Sequence, residues 1–181
     1  MLVLIVGPSG AGKDTLLNGA RAALDGNVRF RFVRRIITRV PGPAATEDHD
    51  TVTAQAFTAL QAAGGFALSW RAHGLHYGIP ADIGIDLAEG RIVVANVSRT
   101  VVAEAAERFA VTVIEVTAPA DILARRLAAR GREDAVDMAR RLTRQSDLPL
   151  PSPRDTIAND GTEAAGIGKL THALRRLASP G

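Results

Sequence analysis

Leu2-Val3-Leu4-Ile5-Val6 runs straight into Gly7-Pro8-Ser9-Gly10-Ala11-Gly12-Lys13-Asp14-Thr15. The first five residues form an apolar, β-branched run that reads as a buried parallel strand. Leu16, Leu17, Ala20 and Leu24 follow at the spacing of one helix face. A strand, a glycine-rich turn and a helix are the context that a phosphate-binding loop of the form G-x-x-x-x-G-K requires. Gly7, Gly10 and Gly12 let backbone N–H groups converge on one centre, and the helix adds the positive end of its dipole. Lys13 brings a full charge to the β- and γ-phosphates of a bound nucleotide. The residue after such a lysine is usually Ser or Thr, whose hydroxyl meets Mg²⁺; here Asp14 stands there, with Thr15 next. Either Asp14 binds the metal through its carboxylate, or it favours the helix N-terminus and Thr15 serves the metal.

The 181 residues, 46% of them hydrophobic, suit one domain with a real core. The absence of cysteine excludes disulfides, zinc–thiolate sites and a cysteine nucleophile. No basic leader precedes the first strand, and no apolar run nears the roughly 20 residues of a membrane span. The expectation is a cytoplasmic chain that meets neither membrane nor nucleic acid. A net charge of +3 raises the nucleic-acid reading, but aromatics are only 4% and the arginines are scattered. Lysine occurs only at Lys13 and Lys169, so the positive charge is mainly arginine, which suits bidentate phosphate contacts. The oligomeric state is not encoded legibly.

Strand and helix patterns alternate along the rest of the chain. Strands are expected over 28–37, 66–70, 92–97, 111–116 and 156–158. Helices are expected over 54–63, 82–88, 100–109, 120–130, 136–146 and 164–178. Residues 38–50 and 147–153 read as proline-containing loops, and 73–80 as a glycine-containing turn. The alternation predicts an α/β fold with a parallel sheet flanked by helices, its ligands at the carboxyl ends of the strands.

Within 120–130, Leu123 and Leu127 form one i, i+4 pair and Arg126 and Arg130 another. Gly131 then permits a turn, and Arg132, Arg140 and Arg141 follow. Such a cluster on a flap would close over phosphates and offset charge in phosphoryl transfer. As a plain solvated face it would pair with Glu133, Asp134 and Asp137.

These motifs resemble the guanylate kinase superfamily over almost the whole chain. The family's phosphate loop is matched by Gly7 to Asp14, and its T-T-R by Ile37-Thr38-Arg39. Its G-N-Y-Y-G is matched by Gly74-Leu75-His76-Tyr77-Gly78. Its lid R-L-x-x-R-G is matched by Arg126 to Gly131, and its V-N-D-D by Ala158-Asn159-Asp160-Gly161. The resemblance implies a P-loop kinase fold, one domain over 1–181, with an acceptor-binding insert at about 34–80 and an arginine-bearing lid at about 126–142. It implies ATP held by Gly7, Pro8, Ser9, Gly10, Ala11, Gly12, Lys13, Asp14, Thr15 and Asn159. It implies Mg²⁺ near Asp14 or Thr15, with Lys13, Arg126, Arg130 and Arg141 at the transferring phosphoryl group.

The departures are informative. Where guanylate kinases read guanine with a serine, a glutamate and a second serine, this chain has Arg35, Leu68 and Ile79. The family's acidic D-x-D becomes Asn96-Val97-Ser98. A buried base edge left without partners is strongly disfavoured, so the pocket is expected to take an acceptor with more phosphate and no guanine. The pattern is similar to one branch, the ribose 1,5-bisphosphate phosphokinases of phosphonate catabolism. That branch shares the aspartate after the lysine, R-x-I-T-R at 35–39, E-x-H at 47–49 and A-L-S-W at 67–70. It also shares N-x-S-R at 96–99, R-G-R-E at 130–133 and N-D-G at 159–161. It implies a phosphorylated sugar acceptor held by Arg35, Arg39, Tyr77 and Arg99, with His49 as a further candidate. Two alternatives remain open on the sequence: a guanylate or other nucleoside monophosphate kinase, and a non-catalytic binding module of the same fold.

Overall fold

The computed structural model describes residues 1–38, 49–128, 150 and 154–179. At its centre lies a five-stranded sheet of β1 (Leu2–Val6), β2 (Phe30–Phe32), β7 (Ile92–Asn96), β8 (Val111–Thr117) and β9 (Arg154–Ala158). The order is β2-β7-β1-β8-β9, and every neighbouring pair is parallel. All of β1 is fully buried because both sheet faces are covered. Successive side chains leave a strand on opposite faces. Val3 and Ile5 therefore pack with Leu16, Leu17, Leu170 and Leu174 of α1 (Lys13–Ala23) and α6 (Glu163–Ala178). Leu2, Leu4 and Val6 enter a second core, against Ile83 of α3 (Ile83–Ala88) and Val102 and Ala105 of α4 (Val102–Arg108).

A second sheet is inserted in sequence between β2 and β7. It comprises β3 (Arg35–Ile37), β4 (His49–Thr51), β5 (Phe66–Ala72) and β6 (Leu75–Pro80), in the order β4-β3-β6-β5. Helix α2 (Ala54–Ala62) closes over it, with Phe57 stacked on Phe66 at 4.5 Å. Leu68 and Ile79 sit opposite each other in the β5–β6 ladder. They belong to the same core as Leu2 and Leu4, which ties the insert to the main sheet.

Several boundaries differ from the sequence pattern. The expected strand over 28–37 is two strands in two sheets. Val33 N–H closes the main sheet by donating to Val94 O at 2.9 Å, and β3 then pairs with β6 and β4. Apolar residues pack on both sides of the switch, Phe30 and Phe32 against the main core and Val33 and Ile37 buried, so the pattern runs on without a break. The expected loop over 38–50 ends in β4, where His49 lies in register with Arg35. The expected turn over 73–80 is confined to His73-Gly74, both with positive φ (52° and 72°), after which β6 begins. The helix expected from 100 opens as a 3-10 turn, Arg99–Val101. The helix expected over 120–130 is α5 (Ala120–Ala128) as far as the described residues reach, and the one expected over 136–146 lies outside them. No described helix is long and apolar enough to cross a membrane.

Candidate active site

The carboxyl ends of β1, β7 and β9 bring three groups together: the loop that follows Val6, Asn96, and Asn159. Gly7 has φ 146°, and a Cβ there would stand 2.0 Å from the carbonyl oxygen of Val116, so the loop can leave the sheet only through glycine. Gly12 has φ 88° and forms the N-cap of α1, with no side chain capping the helix. A Cβ on Gly12 would meet Nδ2 of Asn159 at 2.5 Å. The helix therefore begins with uncapped N–H groups beside a curled backbone, which is an anion-binding arrangement.

Lys13 Nζ lies over this loop, donating to the carbonyls of Gly7 at 2.7 Å and Pro8 at 3.0 Å. From α5, Arg126 reaches the same loop, with Nη1 3.5 Å from the carbonyls of both Gly10 and Ala11. Leu123 on the same helix is buried in the core under α1 and fixes this approach. Asn159 is buried and spends its amide N–H on the carbonyl of Ala11 at 2.7 Å. Its side chain braces the loop.

Asp14 does not cap the helix. Its Oδ1 accepts a hydrogen bond from Nδ2 of Asn96 at 2.7 Å and faces Nη2 of Arg35 at 3.4 Å. The Arg35 side chain is only 11% exposed. Its guanidinium lies 5.9 Å from the ring centroid of Tyr77, which stacks on Trp70 at 5.4 Å. Arg35 is therefore a packed residue of the site rather than a solvated strand arginine. Tyr77 is buried, and His49 lies beside Arg35 across the β3–β4 ladder. Asp14, Asn18, Arg21, Arg35 and Asn96 line one polar cavity between α1 and the edge of the main sheet.

Arg99 is engaged elsewhere. Its Nη2 contacts Oε1 of Glu115 on β8, and both side chains are nearly buried. Nearby Glu104 pairs with Arg108 at 3.0 Å. Leu68 and Ile79 are 1% and 0% exposed, so the positions that would read a guanine are sealed in the core. Arg39, Arg130 and Arg141 lie outside the described residues.

Three participants were not singled out by the motifs: Asn18, Arg21 and Glu115. Asn18 and Arg21 stand four and seven residues after Asp14, the spacing of one helix face, and that polar stripe was the available signal. Glu115 carried its own signal, a lone acid inside a buried apolar strand. Oxygen donors at Asp14 and Thr15 suit a hard cation such as Mg²⁺. Among the described residues no group of three or more His, Cys, Asp or Glu gathers, so a cation here would draw most of its oxygens from bound phosphates and water.

Comparison with known proteins agrees with this geometry. No model of a known protein family matches the chain. A ribose 1,5-bisphosphate phosphokinase PhnN from Methylobacterium radiotolerans is 52% identical over 175 residues, covering 96% of this chain and 97% of that protein. A bifunctional ribose 1,5-bisphosphokinase-thymidine phosphorylase from Cupriavidus necator is 49% identical over 174 residues, and the chain spans 28% of that longer protein. The crystal structure of guanylate kinase from Anaplasma phagocytophilum superimposes with a TM-score of 0.68 at 15% identity, covering 97% of this chain and 85% of that one, which establishes the shared fold. Kinases of this fold use ATP and typically a divalent cation. With half its residues identical to a full-length relative and the phosphate loop, Arg35 and Asn96 in one site, the chain belongs to the ribose 1,5-bisphosphate phosphokinase family.

Proposed function

We propose that the protein transfers the γ-phosphoryl group of ATP to the 1-phosphate of ribose 1,5-bisphosphate. The product is 5-phosphoribosyl 1-diphosphate, made in the cytoplasm during phosphonate catabolism. The observation that carries this reading is the acceptor wall. Arg35 is packed beside the phosphate loop, while Leu68 and Ile79 are buried and offer a base no hydrogen bonds. A cation where a base would sit favours an acceptor rich in phosphate.

An acceptor phosphate oxygen is ionised at neutral pH, so no general base is needed. That oxygen attacks the γ-phosphorus as the bond to the β–γ bridging oxygen breaks, and ADP leaves with the electron pair. Catalysis reduces to alignment and charge neutralisation. Lys13 and Arg126 supply positive charge from two sides of the loop, and Arg130 and Arg141 complete the set from the lid at about 126–142. Bound Mg²⁺ would neutralise the β- and γ-oxygens, with Asp14 or Thr15 as the nearest protein oxygens. Gly7 to Thr15 cradle the triphosphate, and Asn159 keeps the loop in shape beside the adenine side. Arg35, Arg39, His49 and Tyr77, from the insert at about 34–80, hold the acceptor's phosphates. Arg99, its charge already matched by Glu115, has a supporting part.

The test is ³¹P NMR of a reaction with ATP, Mg²⁺ and ribose 1,5-bisphosphate. The expected spectrum gains diphosphate resonances belonging to a sugar and loses the 1-phosphate signal as ADP forms. ADP release with free inorganic phosphate as the sole other product would mean water is the acceptor and would overturn the assignment.

A further inference from the structure

The residue after Lys13 has two possible employments, and the structure separates them. In α1 successive side chains are turned by about 100°, so Lys13 and Asp14 cannot face the same way. Lys13 turns to the carbonyls of the loop. Asp14 turns to the polar cavity, on the face that continues with Asn18 and Arg21. There one carboxylate oxygen is shared by the Asn96 amide and the Arg35 guanidinium.

Asn96 is 7% exposed and its Oδ1 has no hydrogen-bond partner among the described residues, so the contact with Asp14 orients this amide. Turning the amide over would set its oxygen against the carboxylate. A buried amide thus holds the carboxylate, the carboxylate faces the guanidinium, and the guanidinium lies over Tyr77, which stacks on Trp70. The chain of contacts runs from the end of β7, through the first turn of α1, into the insert sheet. It joins the element that carries the phosphate loop to the wall that faces it.

We infer that Asp14 is a positioning residue for Arg35 on the acceptor side, with Asn96 as its anchor, and that it does not serve as the metal ligand its place after the lysine suggests. This rests on the proposed acceptor reading. An arginine on β3 has several rotatable bonds, and ordering its guanidinium costs rotamer freedom; the Asp14 contact adds to the Tyr77 ring in holding it. Asp14 fixes the guanidinium beside the loop before the acceptor arrives, so that cost is met in folding rather than in binding. The hydroxyl role at the metal is left to Thr15.

The test uses the full chain with Asp14→Ser, Asp14→Asn, Arg35→Gln and the double variant Asp14→Asn with Arg35→Gln. Asp14→Ser is decisive because it restores the hydroxyl usual at that position while removing the carboxylate that Arg35 faces. Two quantities are read: the KM for ribose 1,5-bisphosphate, and the Mg²⁺ dependence of binding of a non-hydrolysable ATP analogue by calorimetry. The expected result for Asp14→Ser and Asp14→Asn is an acceptor KM raised about tenfold, the scale of one charge-assisted contact. The Mg²⁺ dependence should stay within about twofold, and the double variant should be no worse than Arg35→Gln alone within about twofold.

A wild-type acceptor KM in Asp14→Ser would overturn the inference. So would a lost Mg²⁺ dependence in Asp14→Asn, or multiplicative effects in the double variant. Should the wild-type chain not turn over ribose 1,5-bisphosphate, the proposed function falls. The calorimetric arm then decides this inference alone: an unchanged Mg²⁺ dependence in Asp14→Asn supports it, and a lost one overturns it.

Discussion

Around Gly7 to Thr15, most of the shape comes from neighbours in sequence. Positive φ angles at Gly7, Gly10 and Gly12 curl the chain, and the lysine that closes the loop lies six residues after the first glycine it contacts. The wall opposite is assembled from afar. Asp14 meets Arg35 across 21 residues and Asn96 across 82, and Arg99, on the turn after β7, meets Glu115 on β8. The loop is thus set by a local motif, and the wall by contacts between distant residues.

Three changes would break or sharpen that contrast. Lys13→Ala should cost most. Removing a preorganised cation from the transferring group should lower kcat about a thousandfold, while the denaturation midpoint stays near that of the parent. A large loss of stability would instead show that the lysine is needed to hold the loop. Glu115→Gln should act in the opposite manner, through the fold. It leaves the Arg99 guanidinium nearly buried beside a neutral amide, and urea denaturation should register a loss of about 3 kcal/mol. An unchanged midpoint would mean that Arg99 finds its balance elsewhere and is available to a ligand. Asn159→Ala should have the smallest effect. It removes the shorter of the two side-chain hydrogen bonds to the carbonyl of Ala11, the other coming from Arg126, for about 1.5 kcal/mol of stability, and the slackened loop should raise the KM for ATP with little change for the acceptor. A selective rise for the acceptor would place Asn159 on the wrong side of the site.

The same contrast explains what could be read in advance. The strand, loop and first helix were legible because periodicity and spacing report local geometry. So was the arginine side of α5, because Leu123 with Leu127 and Arg126 with Arg130 form two separate i, i+4 pairs, and Arg126 does reach the loop. The division of 28–37 between two sheets was not legible. Apolar and basic residues interleave through both β2 and β3, and what separates the two is their partner strands. Arg35, Asn96 and Asp14 were each visible as departures from a motif, but their contact was not, since nothing in sequence distance marks two side chains that meet across a fold. The stacking of Tyr77 on Trp70, under the Arg35 guanidinium, was not legible either. Glu115 stood out as a lone acid in an apolar strand, but that it meets Arg99 was not legible.

The central claim is that the wall carrying Arg35 admits a sugar bisphosphate and rejects a nucleobase. The most direct measurement is the ratio of kcat/KM for ribose 1,5-bisphosphate to that for guanylate, with saturating ATP and Mg²⁺ on the same preparation. The account predicts a ratio of about a thousand or more, since a pocket without partners for a polar base rejects it strongly. A ratio near or below unity would contradict it, and would mean that groups other than Leu68 and Ile79 read the base.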